Sequence, residues 1–211
     1  MSDREALRIG WLRAVGVHAG RLLRRWLRSP PSVLSTLVMP VVMLVILNVM
    51  FSGMVEQFSG APMNMTAVCV MVAVSQSFTA ALMGAGNIVQ ERHDGLPDRL
   101  ATLPGNRSTG MIGRVLAESV TAFVSMIAAV VVGLVYGADF RTATGLVGTL
   151  VVLAVVSVAA GAVGVMLGFV VDTPQGAVSF APLVMAAMFF STAMMPRDMY
   201  AEVLRPIVDV S

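Results

Sequence analysis

Five long apolar segments dominate this chain, and each is long enough to cross a lipid bilayer. They cover residues 33–55, 66–89, 113–136, 145–171 and 176–195. A helix of about 20 residues spans the hydrocarbon core of a bilayer, and in lipid a helix leaves no backbone group of the segment unpaired. The alternation of apolar and polar residues that marks a membrane barrel does not occur in the sequence. The sequence therefore predicts an all-α membrane protein with five transmembrane helices.

Charge content supports a single membrane domain over residues 1–211. Only 12% of the residues are charged, whereas soluble domains carry about 25%. The one cysteine, Cys69, lies inside an apolar run, so the sequence offers no disulfide framework. His18 and His93 are far apart and no paired-ligand spacing occurs, so we expect neither a metal site nor catalytic residues in this chain.

The basic residues are all arginines, 14 in number. A P-loop needs a lysine to reach the nucleotide phosphates, so this chain is not a P-loop ATPase by itself. No basic patch with interleaved aromatic residues occurs, and we expect no binding to nucleic acid.

Arginine positions predict the orientation of the spans. Residues 1–31 carry seven arginines and the loop after the second span carries four, whereas residues 52–64 carry none. The loop after the third span has only Arg141. We therefore expect the N-terminus and the loop after span two to face the cytoplasm in a multi-pass protein of a bacterial plasma membrane.

The arginine-rich N-terminal segment shows the pattern of an amphipathic helix lying in the membrane interface. Trp11 and Trp26 fall on one helical face, where tryptophan suits the headgroup layer, and Arg21 and Arg25 reach outward. A proline pair at residues 30–31 ends this helix before the first span.

Polar residues within the spans are few, and two uses for them stay open. They are Asn48, Ser75, Gln76, Ser77 and Thr79. They either hydrogen-bond between helices or line a path for an amphiphile.

Glu118 is the acidic residue of the third span and lies about one turn into it. Three interpretations stay open: a charge that lies at the membrane interface, a pair with Arg114 four residues earlier, or a pair with an arginine of the N-terminal helix. In the fourth span, Gly161, Gly164 and Gly168 would permit close approach of another helix.

Residues 91–114 form a charged segment between two apolar runs and hold eight ionisable groups. Gly95 offers a sharp turn, and two prolines bracket a short helix over residues 98–103. Such a helix is suited to a partner's groove, although a solvated hairpin that merely joins two spans is the alternative. The candidate residues for coupling to a partner are Glu91, Arg92, Gly95, Asp98, Arg99, Leu100, Leu103 and Pro104.

With this pattern the chain resembles the permease subunits of type-2 ATP-binding-cassette (ABC) exporters, in particular the daunorubicin-resistance-type branch. The residues that carry the resemblance are Glu91-Arg92, Gly95, Asp98-Arg99-Leu100, Leu103-Pro104, Arg107, Arg114, Pro182, Phe189-Phe190-Ser191 and Met195-Pro196.

The resemblance implies a short cytoplasmic coupling helix between spans two and three. Residues 196–211 are expected to form an outer segment that is either re-entrant or interfacial. The resemblance also implies a sixth span, expected beyond Ser211. The implied partners are separate ABC ATPase subunits, which would hold ATP and Mg²⁺, a second permease copy or paralogue, and membrane lipids. This chain itself would hold no cofactor.

The expected function is ATP-driven export of a hydrophobic or amphipathic substrate, lipid-like or drug-like. Asn48, Ser75 and Gln76, with Phe189 and Phe190, are the candidates for a substrate path or for helix packing. Two alternatives stay open, an ion-coupled secondary transporter and a membrane scaffold or sensor that transports nothing.

Overall fold

The described residues form seven helices and no strand. The structure is a computed structural model that describes residues 3–60, 62–95 and 107–189. The helices are α1 (Asp3–Leu27), α2 (Pro30–Ser59), α3 (Met65–His93), α4 (Arg107–Val135), α5 (Ala143–Val170), α6 (Pro174–Val178) and α7 (Ala181–Phe189). Within these residues, α2 to α5 are long and apolar enough to cross a membrane. The all-α membrane fold is thus confirmed, and the first four predicted spans correspond to these four helices.

The fifth predicted span is only partly within the described residues. Its described part falls on α6 and α7, which are separated by a break at Ser179 and Phe180. Residues 190–195 of that span and the predicted outer segment 196–211 lie outside the described residues. The fifth span and the outer segment therefore stay predictions.

Local sequence determines where the long helices begin. α1 ends at Leu27, and Pro30 opens α2, where its fixed φ and missing N–H cost nothing. Asn64 caps α3 by accepting a hydrogen bond from the backbone N–H of Ala67 at 3.2 Å. Thr142 caps α5 in the same way through the N–H of Gly145.

α3 is the central helix of the bundle. It packs against α2, α4, α5, α6 and α7, and 56% of its most apolar stretch is buried, against 17% for α2. The apolar core lies around the N-terminal half of α3, where Val68 and Val72 pack with Leu44 of α2 and Met126 of α4. α2 is therefore a peripheral helix, and it packs on the bundle mainly beside the N-terminal half of α3.

Glycines of α5 allow its close contact with the rest of the bundle. A Cβ at Gly164 would lie 2.5 Å from the carbonyl oxygen of Ala81, and one at Gly168 would lie 2.7 Å from Cβ of Ile88. Gly161 meets α4 instead, where its Cβ would lie 2.6 Å from Oγ of Ser119. The small residues expected to permit close helix approach do so here, against both α3 and α4.

Replacement of Gly164 by valine should therefore destabilise the bundle. The added side chain would meet the α3 backbone at Ala81, which has no flexible end to move aside, and overpacking of this kind costs about 1–3 kcal/mol. Thermal unfolding in detergent measures the effect. Gly148→Val in the same helix is the control, because a Cβ there meets nothing within 4 Å. Equal melting temperatures of the two variants would contradict this account of α5 packing.

Candidate functional site

A cluster of three charged side chains lies where α1, α3 and α4 meet. Glu91, on the last turn of α3, accepts a hydrogen bond from Nη1 of Arg25 at 2.8 Å through Oε1. Its second oxygen, Oε2, accepts a hydrogen bond from Nη2 of Arg114. We call these three residues the Glu91 cluster. One carboxylate thus joins the end of α1 to the first turns of α4 across the end of α3.

The two arginines of the Glu91 cluster have very different environments. The Arg25 side chain is 73% exposed, whereas those of Arg114 and Glu91 are 17% and 12% exposed. An exposed ion pair contributes little because water screens it. A shielded charge that loses its partner is costly. The Glu91–Arg114 pair is therefore the strong interaction of the cluster.

The structure corrects the predicted limits of the charged segment 91–114. Glu91, Arg92 and His93 belong to α3, and residues 107–114 belong to α4. The prediction was wrong at both ends because charge was interpreted as exposure to water, whereas Glu91, Arg92 and Arg114 have partners inside the bundle. Of the interpretations left open for Glu118, an ion pair with Arg114 is not what the structure shows, since Arg114 pairs with Glu91.

Arg92 and His93 attach the same end of α3 to the end of α5. Nη1 of Arg92 lies within hydrogen-bond distance of three backbone carbonyl oxygens, those of Gly168 (3.2 Å), Phe169 (3.2 Å) and Val171 (3.0 Å). Nε2 of His93 lies 2.8 Å from the carbonyl oxygen of Asp172. A guanidinium at this position satisfies carbonyls that a helix C-terminus leaves unpaired and interacts favourably with its dipole.

A polar groove of about 530 Å³ opens between α1, α2, α3 and α4, and the Glu91 cluster lies at one end of it. Several polar side chains line its walls, including Ser32, Thr36, Gln76, Thr79, Asn87 and Glu118. Methionine and tryptophan side chains line it as well, among them Met39, Met83 and Trp26. This mixture suits a ligand with both an apolar body and a polar group.

The central helix contributes a stripe to this groove. Gln76, Thr79, Met83 and Asn87 follow one another at steps of three or four residues, so they share one face of α3. The spacing is present in the sequence, but of these four residues only Gln76 and Thr79 were among the polar residues singled out there. Asn87, and the groove position of Glu118, were missed.

The other candidate path residues have different surroundings. Nδ2 of Asn48 donates to Sδ of Met65 at 3.3 Å, and Oγ of Ser75 donates to the carbonyl oxygen of Met71 at 2.9 Å. Asn48 thus contributes to contact between α2 and α3. Phe189 is the last residue of α7, and Phe190 lies outside the described residues.

Glu118 lies on α4, one turn after Arg114, and its carboxylate packs against Gly84 of α3. Within the part of the chain that the structure describes, no ion pair or hydrogen bond joins this carboxylate to another residue. It also lines the groove.

The remaining candidate residues are placed as follows. Gly95, with a φ of 70°, provides the turn after α3. Trp11 and Trp26 are half-buried and Arg21 is exposed. The coupling candidates Asp98, Arg99, Leu100, Leu103 and Pro104 lie outside the described residues, so their role stays a prediction. The helices that flank them, α3 and α4, meet α1 at the Glu91 cluster, so this segment starts and ends at the same end of the bundle as Arg25.

The apolar helices and their polar groove define a multi-pass membrane protein. Comparison with known proteins specifies the family. The profile of the ABC-2 family transporter proteins matches residues 63–209, and the chain belongs to this family.

Two curated relatives, from two strains of Mycobacterium tuberculosis, are each described as a "Probable doxorubicin resistance ABC transporter permease protein DrrC". Each is 30% identical to this chain over 198 residues, which cover 91% of this chain and 70% of the relative. No solved structure matches the chain. The protein is thus an ABC-2 permease, homologous to a drug-resistance permease.

We expect the two arginines of the Glu91 cluster to contribute unequally to the stability of the protein. Arg114→Met keeps most of the side-chain volume but leaves a shielded carboxylate short of its main partner, which should cost about 3 kcal/mol. Arg25→Met should cost about 1 kcal/mol or less, because its guanidinium is exposed. Thermal unfolding of both variants in the same detergent measures the difference. Equal losses, or a larger loss for Arg25→Met, would overturn this ranking.

Proposed function

We propose that this permease is the membrane part of an ATP-driven exporter that moves a hydrophobic or amphipathic substrate, lipid-like or drug-like. The main support is the polar groove, which presents both apolar and polar side chains and lies beside the Glu91 cluster. Homology to a drug-resistance permease supports the same substrate class.

Energy would come from separate ABC ATPase subunits, which would bind ATP and Mg²⁺. The P-loop lysine that such an ATPase needs does not occur in this sequence. The segment between α3 and α4 would dock on the ATPase through Asp98, Arg99, Leu100 and Leu103. Since both flanking helices meet at the Glu91 cluster, a displacement of that segment would be carried to α1, α3 and α4 together.

The N-terminal helix and the docking segment would face the cytoplasm. Arginine is concentrated in these two regions, as the positive-inside rule requires, and Arg25 and Arg114 share Glu91 at that end. α1 would then lie along the membrane surface, in contact with lipid headgroups.

Two permeases, identical or related, would assemble over two ATPases. ATP binding would favour one conformation of this assembly through the ATPase's unequal affinity for the two permease states. An ion-coupled transporter would instead move substrate without an ATPase, and a scaffold or sensor would bind partners without any flux.

Neutralising the docking segment tests this proposal. Asp98→Asn combined with Arg99→Gln should reduce substrate-stimulated ATPase activity of the assembled complex at least tenfold, because charged groups give a docking surface its register. Membrane insertion and the amount of permease should not change. ATP-dependent uptake into inverted vesicles gives a second readout.

The matched control is Glu56→Gln combined with Arg141→Asn. Both residues lie at the opposite end of the bundle, after the long apolar stretches of α2 and α4, and both are exposed. This control should behave as wild type. Flux that persists without the ATPase would favour the ion-coupled alternative, and partner binding without flux would favour the scaffold.

A further inference from the structure

We propose that the carboxylate of Glu118 binds the ammonium group of a cationic amphiphile in the polar groove. This inference rests on the proposed function, because it specifies the charge of the cargo that the permease would accept. Four observations support it: the position of the carboxylate, its lack of a partner among the described residues, the hydrogen-bonding character of the hydroxyls that line the groove, and the apolar side chains that line it.

Gly84 makes room for the carboxylate beside the backbone of α3. A Cβ at that position would lie 2.6 Å from Cδ of Glu118, so any larger residue would have to displace the acid. The carboxylate is thereby held at the wall of the groove, one helical turn farther along α4 than the Glu91 cluster.

Glu118 has a nearby positive charge but no direct partner in the described part of the chain. The closest arginine in sequence is Arg114, whose guanidinium is bound to Glu91. A carboxylate within a membrane span is costly unless a cation or several donors reach it. A ligand ammonium group could supply this contact.

The hydroxyl groups that line the groove favour a ligand that donates hydrogen bonds. Oγ1 of Thr79 donates its proton to the carbonyl oxygen of Ser75 at 3.0 Å, and Oγ1 of Thr121 donates to that of Glu118 at 2.9 Å. The single proton of each hydroxyl is engaged in one of these hydrogen bonds, so each hydroxyl can only accept a hydrogen bond from a ligand in the groove. A primary ammonium group carries three donors and no acceptor, which matches a groove lined by a carboxylate and by such hydroxyls.

Apolar and aromatic groups that line the same groove suit the body of such a ligand. Met39, Met83 and Leu22 line the groove, and Trp26 lies beside them. The volume of about 530 Å³ is within the range of small-molecule sites. An anionic ligand fits less well, because Arg25 and Arg114, the two arginines that line the groove, are already bound to Glu91.

Binding measurements on the full-length permease in lipid nanodiscs test this site. The probes are a dansyl-labelled primary alkylamine and its N-acetylated form, which has the same body without the charge. Wild type should bind the amine roughly tenfold or more tightly than the acetamide, as a charge-assisted hydrogen bond implies. Glu118→Gln should remove this preference and leave the affinity for the acetamide unchanged. Glu56→Gln, an exposed carboxylate outside the groove, should retain it.

Thr79→Val provides a second test if Glu118→Gln fails to fold. This substitution removes one hydrogen-bond acceptor while it keeps the side-chain volume. It should lower the preference for the amine over the acetamide severalfold. Equal binding of both probes by wild type would overturn the ammonium site, as would a preference that survives both variants. If wild type binds the two probes alike and the ATPase complex still transports them, this inference fails while the proposed function stands. If the amine preference holds but no ATP-dependent flux occurs, the proposed function fails and the site stands.

Discussion

The ion pairs of Glu91 determine how one end of this bundle is built. In a membrane, a charged side chain near the end of a span must either reach water or find a partner. Glu91 is buried and takes two partners, Arg114 from the next span and Arg25 from the helix before the first span. Three helices therefore share one carboxylate, and the segment between α3 and α4 begins and ends where they meet.

The rest of the bundle depends on a division between its two halves. Around the N-terminal half of α3, apolar side chains such as Val68, Val72 and Leu44 form a close-packed core. Toward the Glu91 cluster, α2 and α3 instead present hydroxyl and amide groups to the groove. Glycines of α5 allow this helix to pack closely against α3 and α4. A groove with polar side chains in its walls can thus exist in an apolar protein because the apolar core holds the helices together elsewhere.

The sequence predicted the all-α membrane fold and the first four spans, because an apolar run of sufficient length has one stable form in lipid. The predicted limits of the charged segment 91–114 were wrong because a sequence shows which residues are charged but not which residues they pair with. Glu91 and Arg114 are far apart in sequence and meet only in the folded bundle. The position of Glu118 was missed for a similar reason, since it depends on Gly84 of another helix. Helix contacts, unlike helix lengths, require the three-dimensional structure.

Under the proposed function, Glu91 and Arg114 would act as one unit that transmits motion between the ATPase and the membrane helices. A double-mutant cycle of Glu91→Gln and Arg114→Met, read out as substrate-stimulated ATPase activity of the full complex, tests it most directly. If the claim holds, each single variant should lose about as much stimulation as the double variant. Losses that simply add in free energy would show that the two residues act independently and would contradict the account.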